Sequence, residues 1–247
     1  MSEPESGGES MAPPPWERSR RRVAPVRVPL TLERITDAAF TVLDREGFER
    51  LSMRQVAAEL GVAVSALYAH VAGKDELLQQ MYNRLFEGYE LPDPDPEHWQ
   101  DQVKDFARQG RERLLAHRDM ARISMAHVPF TPELLPHIER LMAIFRAAGL
   151  PDAVAAAAGD MISTYMDGFT YEESMWEERR RTTKADSWEE MQATIKGYFD
   201  ALPPERFPHL VALSGLMFDE SNDDRFELGL DIIMRGLASY IQPGPQG

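Results

Sequence analysis

Three things are scarce in this chain of 247 residues. Cysteine is absent. Without thiols there is no disulfide scaffold, no thiolate zinc or iron–sulfur ligation and no cysteine nucleophile. Long apolar runs are absent too; no stretch of about 18 apolar residues occurs, so no membrane span is expected. Positive charge is in deficit, with 27 Lys and Arg against 41 Asp and Glu and a formal net charge of −14. Taken whole, that balance argues against a nucleic-acid partner. The opening MSEPESGGES lacks the basic flank and apolar stretch of a secretory signal. A cytoplasmic globular protein is the expectation. The length suits one large domain or two modest ones, and a 43% hydrophobic content supplies a core.

The charge is unevenly spread. Residues 1–17 carry four acids and no base, residues 18–84 eleven bases and eight acids, residues 85–247 sixteen bases and twenty-nine acids. A unit of +3 therefore precedes a body of −13. Arg18, Arg20, Arg21, Arg22 and Arg27 fall within ten residues. Such a run is either a solvated tail or an arm that seeks phosphates and the minor groove. Residues 1–29, rich in Pro, Gly and Ser, read as disordered.

From Thr31 onward the pattern is helical. Leu32, Ile35, Ala38, Ala39, Val42 and Leu43 repeat on one face, with Thr31 as N-cap and Gly47 as terminator. A short helix starts at Ser52, which forms a capping box with Gln55, and stops at Gly61. A second short segment runs from Val64 to Val71. A fourth helix follows Gly73, with Leu77, Leu78, Met81, Leu85 and Phe86 as its stripe. LPDPDP, residues 91–96, cannot be helix interior and marks a domain boundary. Beyond it, helices are predicted over 97–117, 131–148, 152–180, 187–201 and 223–241. There is no strand pattern and no internal repeat. The predicted fold is all-α, a small head of three or four helices on a larger helical body.

Residues 52–71, SMRQVAAELGVAVSALYAHV, describe a helix-turn-helix. The first helix would cross the DNA backbone. The second would present Ser65, Tyr68 and His70 to groove edges while Leu67 and Val71 face inward. Lys74 stands at the N-terminus of the next helix, where a cation and orphan N–H groups together favour phosphate. A helical hairpin that merely packs has the same spacing.

The run from Leu30 to Phe86 resembles the DNA-binding head of the tetracycline repressor (TetR) family. The matching pieces are ITDAAFTVLDREGFERLSMRQVAAELGV and ALYAHVAGKDELL, in which a leucine–tyrosine–x–histidine pattern closely precedes lysine. WQDQVKDFARQGRERLLAHRDMAR (99–122), GFTYEES (168–174) and RFELGLDIIMRGL (225–237) resemble the body of the tetracycline repressor class. The resemblance implies residues 30–90 as the DNA-binding domain and 97–241 as the ligand-binding and dimerisation domain. It implies a homodimer on a palindromic double-stranded operator, most simply a repressor released by a small-molecule effector. By the same resemblance Arg54 contacts bases and backbone, Ser65, Tyr68 and His70 occupy recognition-helix contact positions, and Lys74 binds phosphate. Val64, Ala66 and Ala69 stand where the tetracycline repressor has glutamine, threonine and tryptophan. Small apolar groups touch thymine methyls but cannot hydrogen-bond base edges. Arg20, Arg21 and Arg22 would then contribute more, by reading minor-groove width.

In the body, Met120, Met125, Phe130, Met142, Phe145, Met161, Tyr165, Met166 and Phe169 form a methionine- and aromatic-rich set. This is either plain core or an adaptable wall for apolar ligands. Gln109, Ser124, His127, Arg140, Ser163, Thr164 and Asp167 are polar groups that could orient a ligand. The expected ligand-binding set is Phe106, Gln109, Met125, His127, Met142, Phe145, Tyr165 and Phe169. Ser124 and Phe106 stand where the tetracycline repressor has a metal-binding histidine and a drug-contacting asparagine. The resemblance therefore implies a more apolar effector, with no required metal or cofactor. The dimer face is expected on helices 152–180 and 223–241, with Leu228, Ile232, Ile233, Leu237 and Tyr240 as its stripe.

The six histidines, His70, His98, His117, His127, His137 and His209, show no metal-ligand spacing. No phosphate loop, nucleophile elbow or dinucleotide fingerprint occurs, so no enzyme is expected. The alternative is a ligand-independent or architectural DNA-binding protein whose body only dimerises.

Overall fold

A computed structural model describes residues 29–126, 130–182, 188–218 and 221–241. The chain divides into two units, Met1–Thr31 and Leu32–Gly247. Every helix among the described residues lies in the second unit. There are eleven and no strand: α1 (Leu32–Glu46), α2 (Met53–Leu60), α3 (Val64–Leu67), α4 (Lys74–Leu85), α5 (Trp99–Leu115), α6 (Met120–Ser124), α7 (Leu135–Ala147), α8 (Asp152–Thr182), α9 (Trp188–Asp200), α10 (Pro208–Phe218) and α11 (Asn222–Ala238). No described helix is long and apolar enough to cross a membrane.

The head is built as its sequence pattern dictates. Ile35, Ala38, Ala39, Val42 and Leu43 of α1 are buried, and α1 packs on α2 and α4. Gly47 takes φ +82°, a backbone state that favours glycine, and turns the chain toward α2. Ser52 accepts a hydrogen bond from the Gln55 amide and donates one to the Gln55 side chain at 3.2 Å. Gly61 closes α2 in the left-handed region, its N–H and that of Val62 capping the last turn. The second element of the motif is shorter than predicted: helix ends at Leu67, and the chain continues as a turn through His70.

The body surrounds α8, which at 31 residues is about 46 Å long. Its inward positions Ala155, Ala158, Ile162, Met166 and Thr170 recur at helical spacing. Helices α5, α6, α7 and α11 pack against it. Gly110 of α5 gives Met166 of α8 the space a Cβ would fill. Gly229 of α11 does the same for Tyr165, whose hydroxyl donates to the Phe226 carbonyl at 3.0 Å. Phe226, Leu230, Met234 and Leu237 are the buried face of α11. Charged groups link α5 to α11 across the outside: Arg108 to Glu227 at 2.6 Å, Arg111 to Asp223 at 2.7 Å, and Lys104 to Asp231. Helices α9 and α10 form a hairpin packed on each other.

Two described helices lie outside the predicted set, α6 and α10. Helix α6 has five residues, too few to show a period. Helix α10, PHLVALSGLMF, is apolar around its whole circumference, so it has no stripe to detect.

Candidate DNA interface and ligand-binding body

Across the residues expected to meet DNA, burial separates two classes of side chain. Leu67 and Val71 are fully buried, which fixes the short α3 segment against the head core. Ser65, Ala69 and His70 are exposed, and so is Tyr68, at 54% of its area. Arg54 of α2 is exposed as well. Val64 and Ala66 are half-buried and supply little polar reach. Arg20, Arg21 and Arg22 lie outside the described residues.

Lys74 is half-buried and already has a seat. Its ammonium lies 4.5 Å from the Phe48 ring centroid and donates to the Phe48 carbonyl at 3.4 Å. The guanidinium of Arg122, on α6, sits 4.6 Å from the centroid of the same ring and pairs with Glu49 at 2.7 Å. The turn before α6 holds this loop further. The Phe48 N–H donates to Asp119 at 2.8 Å, and Asp44 accepts from the Arg118 amide at 2.9 Å. His117 lies 3.0 Å from Asp44 and stacks on Phe40. Head and body thus meet through the Phe48 loop as well as through α4.

The predicted ligand-binding residues fall in separate places. Phe145 is wholly buried and edge-on to Trp99, at 6.5 Å between ring centroids. Phe106 is buried and 5.8 Å from Tyr89. The methyl end of Met142 packs where Gly159 of α8 lacks a side chain. Tyr165 and Phe169 cluster with Phe226, and Arg111 stacks its guanidinium over Phe226 and Phe169 at 4.9 and 5.6 Å. Gln109 and Met125 are exposed. His127 lies outside the described residues. Among the seven described residues of the set, Tyr165 and Phe169 are in ring contact, 5.9 Å between centroids.

A polar relay crosses the interior instead. Tyr82 of α4 is hydrogen-bonded to Ser124 of α6, and Ser124 donates to Asp167 of α8 at 2.9 Å. The second Asp167 oxygen is buried without a hydrogen-bond partner. Burial pushes the Asp167 carboxyl up to about 6, against the restraining bond from Ser124. Burial first, and then the nearby Asp167 charge, push the Tyr82 phenol up to about 12. Ser124 and Asp167 are on the sequence list of orienting groups. Tyr82 is missing from it, although it stands four residues after Leu78 and four before Phe86, beside the apolar stripe.

Two cavities adjoin the head–body junction. One, of about 600 Å³, is lined by Asp44, the turn 115–119, the second half of α8 and Asn222. Its charges are largely matched in pairs, including Arg118 with Glu178 at 2.9 Å and Arg180 with Glu177 at 2.7 Å. The other, of about 530 Å³, lies between α1, the end of α4 and the start of α7. Neither is lined by any of the seven described residues of the predicted set. No group of three His, Asp or Glu among the described residues is placed to hold a metal ion.

Comparison with known proteins decides the family. Residues 91–241 match the tetracyclin repressor-like C-terminal domain, and residues 35–81 match the bacterial regulatory proteins of the tetR family. The chain belongs to the TetR family. Over 227 residues, 92% of this TetR chain and 84% of the relative, it is 31% identical to the HTH-type transcriptional repressor DrrR1 of Streptomyces coeruleorubidus. It is 26% identical to the class C tetracycline repressor of Escherichia coli, over 84% of this chain and 90% of that one. Among solved structures, ActR of Streptomyces coelicolor in complex with actinorhodin superposes with a TM-score of 0.78 and 39% identity, covering 87% of this chain and all of that one. The protein is a TetR-family transcriptional repressor with a helix-turn-helix DNA-binding head; the family is one of regulators, not enzymes.

Proposed function

We propose that the protein binds a palindromic operator as a homodimer and is released by a small effector with an apolar body, taken up in the helical domain. The observation that carries the DNA-binding half is the sorting of α3: Leu67 and Val71 buried, Ser65, Tyr68 and His70 in solvent. In this reading Arg54, exposed on α2, contacts bases and backbone, and Lys74 binds a phosphate. A dimer is supported by apolar side chains exposed on α8 and α11, Met161, Leu228 and Ile232, and by Tyr240 just beyond α11. Leu237 of the predicted stripe turns inward, at 4% exposure. Ligand uptake is supported by the ligand-bound ActR structure and by the two cavities. An effector acts only through its differential affinity for two arrangements of the heads. The second reading, a body that only dimerises, is favoured by one observation: Phe106 and Phe145 are buried in packed aromatic contacts.

Selection of bound DNA from a random pool tests the first half. A palindrome is the expected product. Tyr68→Ala with Lys74→Ala should lower affinity for it by a hundredfold or so, about 3 kcal/mol, with the fold intact by circular dichroism. Unchanged affinity would overturn the assignment.

A further inference from the structure

The recognition segment is short of the side chains that read bases. Guanine is read by the paired donors of Arg or Lys, adenine by the amide of Asn or Gln, and the cytosine amino group by a carboxylate. Between Gly61 and Gly73 there is no Arg, Lys, Asn, Gln, Asp or Glu. Ser65, Tyr68 and His70 are exposed there. They offer hydroxyl and imidazole groups, which can pair with either a donor or an acceptor and so separate bases poorly. The rest of the solvent-facing surface is alkyl. Ala63, the N-cap of α3, and Ala69, in the turn after α3, are exposed; Val64 and Ala66 are half-buried. The N-terminal residues of a recognition helix are the ones that meet base edges. Here Ala63, Val64 and Ala66 all end in methyl groups. A methyl group set against a base edge strips water from the donors and acceptors there and returns no hydrogen bond. In the major groove one group escapes that cost, the 5-methyl of thymine, which is itself apolar.

We propose that Ala63 and Ala69, together with Val64 and Ala66, are specificity-determining residues that recognise the 5-methyl groups of thymines in each half-site. The proposal rests on the operator-binding reading above and adds to it the chemical group that is read. It sets the composition of the half-site: thymines under the alkyl surface, with Arg54 on α2 as the paired donor for guanine. It also has a consequence for modified DNA. Where the methyl group is the signal, 5-methylcytosine is accepted at a position that rejects cytosine, because both pyrimidines with the methyl present the same apolar group to the groove.

The test uses the full chain and an operator obtained by selecting bound DNA from a random pool. Each thymine of the half-site is replaced in turn by deoxyuridine, which removes the methyl group and keeps every hydrogen bond of the pair. Affinity is read by fluorescence anisotropy of the labelled duplex. At one or more half-site thymines the loss should be about fourfold, the worth of one buried methyl group. At the same positions a T·A pair changed to C·G should bind weakly, and 5-methylcytosine in place of that cytosine should restore about fourfold. Ala63→Gly with Ala69→Gly removes the methyl groups of the protein. Glycine is accepted at an N-cap and in a turn, so melting should stay near wild type. A merely structural effect of these changes would weaken binding to thymine and deoxyuridine duplexes alike. The double variant should instead lose most of the preference for thymine. Deoxyuridine tolerated throughout overturns the proposal, as does a thymine preference unchanged in the glycine variant. If the pool yields no bound sequence, the operator reading itself fails; if a sequence emerges and deoxyuridine serves as well as thymine, the methyl reading fails alone.

Discussion

Asp167 is the residue whose chemistry is most out of step with its surroundings. An aspartate ordinarily titrates near 3.8; here burial moves it to about 6. A raised carboxyl pKa means that the folded protein holds the proton more tightly than the unfolded chain. The penalty for the buried charge is absent below about pH 4, grows between 4 and 6, and is full above 6. Two pH units correspond to about 3 kcal/mol. Asp167→Asn should therefore stabilise the protein relative to wild type at pH 7 and lose that advantage near pH 4. Asp95, Asp200, Glu227 and Asp231 are shifted the other way, each held low by hydrogen bonds, so absolute curves mix opposing trends. Urea unfolding of both proteins across this range isolates the difference, and a constant gap would refute the account. The sequence flagged Asp167 and Ser124 as polar residues within helices. Their bond was invisible, because it joins positions 43 residues apart.

At the scale of the element, legibility followed periodicity and punctuation. Helices α1, α2, α4, α5, α7, α8, α9 and α11 match predicted segments closely, because each has a one-sided stripe, a cap or a proline at its boundary. α10 has a proline at its start but no one-sided stripe, and it lies outside the predicted set. The seven described residues of the expected ligand set line neither of the two cavities for a related reason: a Met or aromatic at helical spacing reports that a face is buried, but not whether it meets a ligand or another helix. Gly229 shows how such a face is decided. Tyr165 lies across the bare backbone of α11, and a methyl group there would overlap its ring. Gly229→Ala should cost about 1–3 kcal/mol in urea unfolding. In a Tyr165→Ala background the same change should cost much less. Equal costs in both backgrounds would show that the close approach is not what the glycine serves.

For the whole molecule, the −14 total misled because it is an average. The structure narrows the source of positive charge further. Over residues 32–84, the folded head carries six bases and eight acids, a net −2. The +3 of residues 18–84 therefore comes from the five arginines of the arm. Counterion release scales with the number of phosphates neutralised, at a slope near −0.9 for each. Deleting residues 1–27 should weaken operator binding and flatten the log affinity against log salt plot by several units. An unchanged slope would assign the five arginines to solvent.

Phe48 carries a consequence of a different kind. Its ring receives Lys74 from the head and Arg122 from α6, and its carbonyl receives Lys74 again. A phosphate that draws Lys74 outward leaves the ring to Arg122 alone. With Lys74 in the proposed role of phosphate ligand, an operator would compete with an aromatic ring for a single ammonium group. Phe48 would then work as a counterweight between the DNA-facing lysine and a helix of the body.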